Sequence, residues 1–284
     1  MKHWSWGLLL MLVSGVAFAA SPPAVAELSM LLTGSIVIAP DGNVQGYGLD
    51  HPEKLTPAVT AVVDKAAAAW KFVPVEIDGR TVTAKAKMYL RLVATPRADG
   101  QFVVRIRGAS FGATGEPDGG LAYTPQAKKI YPHYPMEAIR ARAGGTAYLV
   151  IKVGHDGTVL DAVAQQINLT VRGNARRMAF LRKALADASL SAAKRWTFEI
   201  PTTGPHAGQP WWVAHVPVDY AVSEIGTRPE DLYGQWQAYV PGPVVSVPWE
   251  QVSPLASESV DTVPSGAVFA NSSALQLIGP AAGG

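Results

Sequence analysis

Gly145-Thr-Ala-Tyr-Leu-Val-Ile-Lys-Val-Gly-His-Asp-Gly-Thr-Val159 carries the clearest fold signals of the chain, and Trp196-Thr-Phe-Glu-Ile-Pro201 follows it after a helical segment. Alternate side chains over residues 146–153 are apolar, which is typical of a strand with one face in a core. Asp156-Gly157 then predicts a tight turn, because glycine tolerates the positive φ that such turns need. The stretch therefore predicts a strand, a turn, a helix and a short Trp-x-Phe strand.

The same order of signals occurs earlier in the chain in a shorter form. Gly34-Ser-Ile-Val-Ile-Ala-Pro-Asp-Gly-Asn-Val44 precedes a helical segment, and Trp70-Lys-Phe-Val-Pro74 follows it. Because self-similarity of this kind indicates duplicated structural units, we predict two copies of one small unit. The first copy spans residues 31–111, and the second spans residues 128–222.

Each predicted unit combines hairpin signals with one apolar helix face. Thr56-Pro57 predicts a helix start, and apolar residues over 55–70 recur at helical spacing. The same spacing over 178–192 predicts a longer helix. Residues 82–93 alternate between apolar and polar side chains, which predicts a sheet with one face exposed to water. The expected fold class is α+β: two small units, each an antiparallel sheet with one or two helices packed on one face.

The segments outside these units are rich in glycine and proline. Residues 112–127 are expected to form a linker. Residues 223–284 form an acidic, proline-rich tail for which partial disorder is expected. Within this tail Trp236 and Tyr239 are aromatic, so we expect residues 232–247 to pack on the domain and the rest to be free.

Residues 1–20 have the pattern of a secretory signal peptide, with Lys2, an apolar run and the small-x-small site Ala17-Phe18-Ala19. We therefore expect a periplasmic protein. An uncleaved segment that anchors the chain in the inner membrane is the alternative. Because the chain contains no cysteine, we expect no disulfides and no lipoprotein anchor. The net charge of +2 is too small to indicate a nucleic-acid partner.

The second unit carries an ordered set of short motifs. They are Tyr134-Pro135-x-x-Ala138, Gly145, Asp156-Gly157-x-Val159, Trp196-x-Phe198, Pro201, Gly208 and Val216-Pro217-Val218-Asp219-Tyr220. With this set, residues 128–222 resemble the C-terminal domain of the TonB family of energy transducers. The first unit resembles the same domain in a degenerate form, because it lacks the Tyr-Pro opening.

The resemblance implies a non-enzymatic periplasmic domain linked to TonB-dependent transmembrane transport. Such a domain binds a short extended segment of an outer-membrane receptor by adding it as a strand to its own sheet. The family's transducers keep an N-terminal anchor and a proline-rich spacer, whereas here the N-terminal segment has a cleavage site and no spacer follows it. A soluble periplasmic scaffold or adaptor that uses the fold only for protein binding is therefore the alternative.

The candidate partner-binding edge is the strand that closes the second unit. Its residues are Trp211, Trp212, Val213, Ala214, His215 and Val216. On an alternating strand, one tryptophan ring faces the core and the other faces outward. An exposed edge also permits homodimers by strand pairing.

A second candidate surface is a basic patch on and around the long helix. Its members are Arg172, Arg176, Arg177, Arg182, Lys183, Lys194 and Arg195. The patch is interpreted as a solvated helix face, as a site for an anionic partner, or as the docking site of the acidic tail.

The sequence contains no recognisable catalytic set. The histidines lack metal-ligand spacing, and Asp41 and Asp156 stand beside glycine in predicted turns, where aspartate is favoured for local hydrogen bonding. We therefore expect no enzymatic activity, no metal and no cofactor.

Overall fold

A computed structural model describes residues 26–112, 121–202, 207–221, 231–249, 261–262, 268–270 and 275–279. The predicted signal peptide, residues 1–20, lies outside the described residues, as do residues 113–120 of the predicted linker.

The described residues form thirteen β-strands and three α-helices. The strands are β1 (Glu27–Ile38), β2 (Val44–Leu49), β3 (Val75–Ile77), β4 (Arg80–Val82), β5 (Ala84–Pro96), β6 (Phe102–Gly112), β7 (Ala122–Tyr123), β8 (Gly145–Gly154), β9 (Val159–Leu169), β10 (Phe198–Glu199), β11 (Trp211–Tyr220), β12 (Gln237–Tyr239) and β13 (Phe269–Ala270). The helices are α1 (Pro57–Ala69), α2 (Met136–Arg140) and α3 (Ala175–Ala193).

Two antiparallel sheets dominate the fold. The first has the order β12-β1-β5-β6, with β2 also paired to β1, and the second has the order β13-β11-β8-β9. Helix α1 packs on the first sheet and helix α3 on the second. The predicted α+β class with small antiparallel sheets is therefore confirmed.

The two Asp-Gly turns share one geometry. Gly42 and Gly157 both have positive φ, of 83° and 77°. In each copy the glycine carbonyl accepts a 2.8 Å hydrogen bond from the Trp-x-Phe phenylalanine, Phe72 or Phe198. A Cβ atom would lie 2.1 Å from the Phe72 carbonyl oxygen at Gly42 and 2.2 Å from that of Phe198 at Gly157, so only glycine fits.

Each unit has its own core between its helix and one face of its sheet. In the first, Leu32 of β1 and Leu90 of β5 are fully buried against Val63 of α1. In the second, Ile151 of β8 is fully buried in one cluster with Leu185 of α3. The alternation seen in the sequence thus places every second residue of these strands under a helix.

The expectation that the first sheet has a face exposed to water is wrong for half of that face. Lys85 and Lys87 are exposed as expected, but Tyr89 is only 5% exposed and Val93 is fully buried. Arg91, which lies between them in β5, donates a 2.7 Å hydrogen bond from Nε to the backbone oxygen of a tail residue at position 261. The tail and the second unit cover this end of the face.

The second half of the predicted linker belongs to the second unit. Leu121 is 1% exposed in the second core, and β7 pairs with β10. Tyr123 stacks on Phe198 with ring centroids 5.1 Å apart. These aromatic contacts order residues that composition alone assigned to a linker.

The tail packs against both units. Strand β12 pairs with residues 27–29 of β1, and Val240 then pairs with Leu169 of β9. The Val245 backbone amide also donates a 2.8 Å hydrogen bond to the backbone carbonyl oxygen of Gln165. This agrees with the expectation that residues 232–247 pack on the domain.

The expectation that the remaining tail is free is wrong for its described residues. Asp261 and Thr262 are 2% and 1% exposed. Val268 is buried in the second core, whereas Leu275 and Leu277 are buried in the first. These apolar side chains supply the free energy of burial that the acidic composition of the tail does not reveal.

Candidate functional site

The candidate edge strand is held on one side and receives a short added strand on the other. β11 pairs with β8 over its whole length, from Trp211 opposite Gly154 to Tyr220 opposite Gly145. On the other side, the part of the tail that the structure describes supplies β13, opposite Ala214 and His215. The six predicted residues therefore lie on the outer strand of the unit's own sheet.

The first copy of the unit fills the equivalent side of its sheet differently. There, β5 takes the place of β11, and β6 pairs with it along residues 87–96. β6 follows β5 directly in the sequence through the Asp99-Gly100 turn. In the second copy, the added strand comes from far outside the unit and pairs at two positions. The two copies therefore differ at this edge.

A proline marks the C-terminal end of the candidate site. Pro217 lies opposite Tyr148 within the β11–β8 ladder. Proline has no N–H to donate, and within sheets it is confined to edge strands and bulges. Pro217 therefore cannot donate a backbone hydrogen bond to a strand added alongside β11. The candidate site at residues 211–216 lies entirely before this residue.

The side chains of β11 alternate between the core and the opposite face. Trp212 is 4% exposed and shares the core with Ala214 and Val216, whereas Trp211 and Val213 are half-buried on the other face. The predicted division of the two tryptophan rings is confirmed. The Nζ of Lys152 lies 4.6 Å from the centroid of the Trp211 ring, a cation–π contact.

The basic patch is not a single surface. Arg172, Arg176, Arg177, Lys183, Lys194 and Arg195 are exposed, and Arg182 is half-buried. Arg176 and Lys194, at opposite ends of α3, are about 27 Å apart along the helix axis, at roughly 1.5 Å per residue. Lys183 is also paired with Asp187 at 2.6 Å. The exposed members match the interpretation of a solvated helix face.

Arg182 differs from the other members of the patch because its side chain contacts the tail. Its Nε donates to the Ile167 carbonyl oxygen at 3.2 Å, and its Nη2 donates to the carbonyl oxygens of Val240 at 3.4 Å and Pro241 at 3.0 Å. Burial lowers the pKa of Arg182. At this position, therefore, a basic residue binds the tail through backbone oxygens and not through acidic side chains.

An acidic tail residue is bound instead by the first unit. The buried Asp261 carboxylate lies 3.9 Å from Arg91 Nε and 3.8 Å from Arg107 Nη1. Arg107 also forms an ion pair with Glu27 and a hydrogen bond with Tyr239. No local signal in the sequence points to these residues, since they come from positions far apart in the chain.

A cavity of about 400 Å³ lies beside this cluster, between the two sheets. Arg91 and Tyr233 contribute to its lining from one side, and Tyr148, Asn168 and Asp219 contribute from the second unit. Burial raises the pKa of the Tyr148 hydroxyl. The cavity thus has polar groups from both units in its walls.

The described residues contain no group of three or more histidine, aspartate or glutamate side chains placed to hold a metal ion. His51 contacts Glu53 at 3.2 Å, and His133 and His155 are exposed. His206 lies outside the described residues. None of the helices in the described part of the chain is long and apolar enough to cross a membrane.

Comparison with known proteins adds no assignment. No family model matches the chain, and no curated protein or solved structure matches it.

Proposed function

We propose that this chain is a non-enzymatic protein of the cell envelope that binds an extended segment of a protein partner by strand addition to β11. The observation that carries the proposal is that β11 accepts an antiparallel segment, β13, from outside its own unit. Strand addition of this kind relies on backbone hydrogen bonds, which any extended chain can form.

The energetics indicate what the partner must supply. A strand laid along residues 211–216 would form about six backbone hydrogen bonds, each with a net contribution on the order of 1 kcal/mol. Association costs about 4–15 kcal/mol in lost freedom of motion. Side-chain contacts must therefore add to the backbone bonds, and Trp211 and Val213 are half-buried beside the edge. A partner segment with apolar residues at alternate positions fits this requirement.

The partner class follows from the resemblance of residues 128–222 to the TonB C-terminal domain. In this proposal the chain resides in the periplasm, and its partner is an extended segment of an outer-membrane receptor of TonB-dependent transport. The alternative is a soluble scaffold or adaptor, which the cleavage pattern at Ala17-Phe18-Ala19 favours because a cleaved chain cannot pass force from the inner membrane.

Photo-crosslinking in cells tests the proposal. The probe is placed at Val213 of β11, on the half-buried face beside the edge, and a matched probe is placed at Val244 in the tail, which is 63% exposed. We expect an envelope protein to be captured from position 213 and not from position 244. The captured segment, made as a synthetic peptide, should bind the purified chain.

Several outcomes count against the proposal. Capture of the same proteins from both positions, or of none from position 213, would overturn it. Capture of a second copy of the chain would indicate homodimers by strand pairing instead. Mass spectrometry of the mature N-terminus separates the two candidate functions, since an end at Ala20 or Ser21 excludes direct force transmission.

A further inference from the structure

We propose that tail residues 268–270 act as a built-in competitor for the partner site on β11. They occupy the edge until a partner strand displaces them. This inference rests on the proposed function, and it adds a regulatory element and a binding rule to it: a partner must replace a strand that is already present.

The added strand makes a small but well-defined contact. Ala270 lies opposite Ala214, and Phe269 lies opposite His215, in antiparallel register. Val268 is 4% exposed and belongs to the second core. The contact therefore consists of two paired positions and one buried anchor, within the span of residues 211–216 proposed for the partner.

The segments on both sides of this strand are anchored elsewhere. On one side, Asp261 lies beside Arg91 and Arg107 of the first unit. On the other side, Leu277 pairs with Phe72, also in the first unit. Residues 268–270 can therefore leave β11 while the flanking tail stays bound. A short tether between fixed points also gives this strand an effective concentration in the millimolar range, so that weak pairing is enough to occupy the edge.

The first unit provides a comparison, because the strand at the equivalent edge of its sheet is paired over a much greater length. β6 is paired with β5 along residues 87–96, whereas β13 is paired at two positions. Regions with few buried contacts and few hydrogen bonds open at low free-energy cost. A partner that pairs along residues 211–216 forms a longer ladder than β13 and displaces it.

The first test opens the edge. Val268→Asp removes the buried anchor, and Val244→Asp is the matched control at an exposed tail position. The probe is a fluorescent synthetic peptide of residues 264–272, and its binding is followed by anisotropy. We expect Val268→Asp to bind the peptide at least about tenfold more tightly than the wild type or the control, because the apparent affinity rises as the competing strand is lost.

Hydrogen exchange shows whether the variant remains folded. We expect faster amide exchange at residues 211–216 in Val268→Asp, with exchange in β8 as in the wild type. Equal peptide binding by Val268→Asp and Val244→Asp, or unchanged exchange at residues 211–216, would overturn the proposal.

The second test locks the edge. The chain has no cysteine, so His215→Cys with Phe269→Cys introduces one unique pair at directly opposite positions. Cα atoms of opposite residues in an antiparallel pair are about 4.5–5.5 Å apart, within disulfide range. We expect the oxidised double variant not to bind the peptide. After reduction of the disulfide, the same variant should bind it. Equal binding by the oxidised and reduced forms contradicts the proposal.

Crosslinking separates this inference from the proposed function. If Val268→Asp and Val244→Asp capture the same partner equally well from position 213, the competitor role fails and the proposed function stands. If the peptide and disulfide results hold but position 213 captures nothing, the tail occupies the edge and the proposed function fails.

Discussion

The contact of Arg182 with the tail leads to the most quantitative prediction. Its guanidinium donates hydrogen bonds to the carbonyl oxygens of Ile167, Val240 and Pro241. These bonds join α3, the end of β9 and the tail segment that continues from β12. We predict that Arg182→Met loosens the tail and lowers the free energy of unfolding.

The size of the effect follows from the distances. The 3.0 Å bond to Pro241 has normal length, and those of 3.2 and 3.4 Å are weaker. A hydrogen bond with a charged partner contributes about 1.5–3 kcal/mol, and release of the half-buried guanidinium from an apolar environment offsets part of this. Methionine keeps the apolar stem of the arginine side chain. We therefore expect a net loss of about 2 kcal/mol.

Lys183→Met is the matched control, one position further along α3. It removes an ion pair with Asp187 whose side chains are 75% and 61% exposed. An exposed helical pair of this kind is worth about 0.5 kcal/mol or less. Urea unfolding measures both losses, and hydrogen exchange at residues 240–245 reports on the tail. If Arg182→Met destabilises the chain no more than Lys183→Met does, the role assigned to Arg182 is refuted.

Two further predictions concern the Asp-Gly turn of the second unit and the pH range of stability. Gly157→Ala should cost at least about 2 kcal/mol more than Gly100→Ala in urea unfolding, because both glycines have positive φ but only Gly157 lies against a backbone oxygen, that of Phe198; equal losses would contradict the close approach. Burial raises the pKa of Tyr233 to about 12 from 10.0. The contribution of its neutral hydroxyl to the free energy of unfolding is therefore complete below pH 10 and is lost as the pH rises toward 12. Urea midpoints at alkaline pH should therefore fall less steeply in Tyr233→Phe, and an identical slope would count against this assignment.

Local signals in the sequence predicted the elements that depend on neighbouring residues. α1 begins at Pro57, with Thr56 at its N-cap, and the glycines of both Asp-Gly turns have the expected positive φ. The Thr56 side chain nevertheless makes no capping hydrogen bond. These features act over a few residues, so their position in the fold hardly changes them.

Strand length was less predictable. Only residues 35–38 carry a clear strand signal before the first turn, but β1 begins at Glu27. Its earlier half is held by β5 and β12, which lie far along the chain. A strand extends as far as its neighbours pair with it, and those neighbours are set by the tertiary structure.

Two similar α+β units are predictable from the sequence, because their turns, helix faces and Trp-x-Phe strands are local and repeated. The difference between the copies at their outer strand is not predictable in this way: β6 pairs with β5, whereas the short β13 pairs with β11. A sheet edge pairs through backbone N–H and C=O groups, which every extended segment carries. Which segment occupies the edge therefore depends on which part of the chain is held nearby.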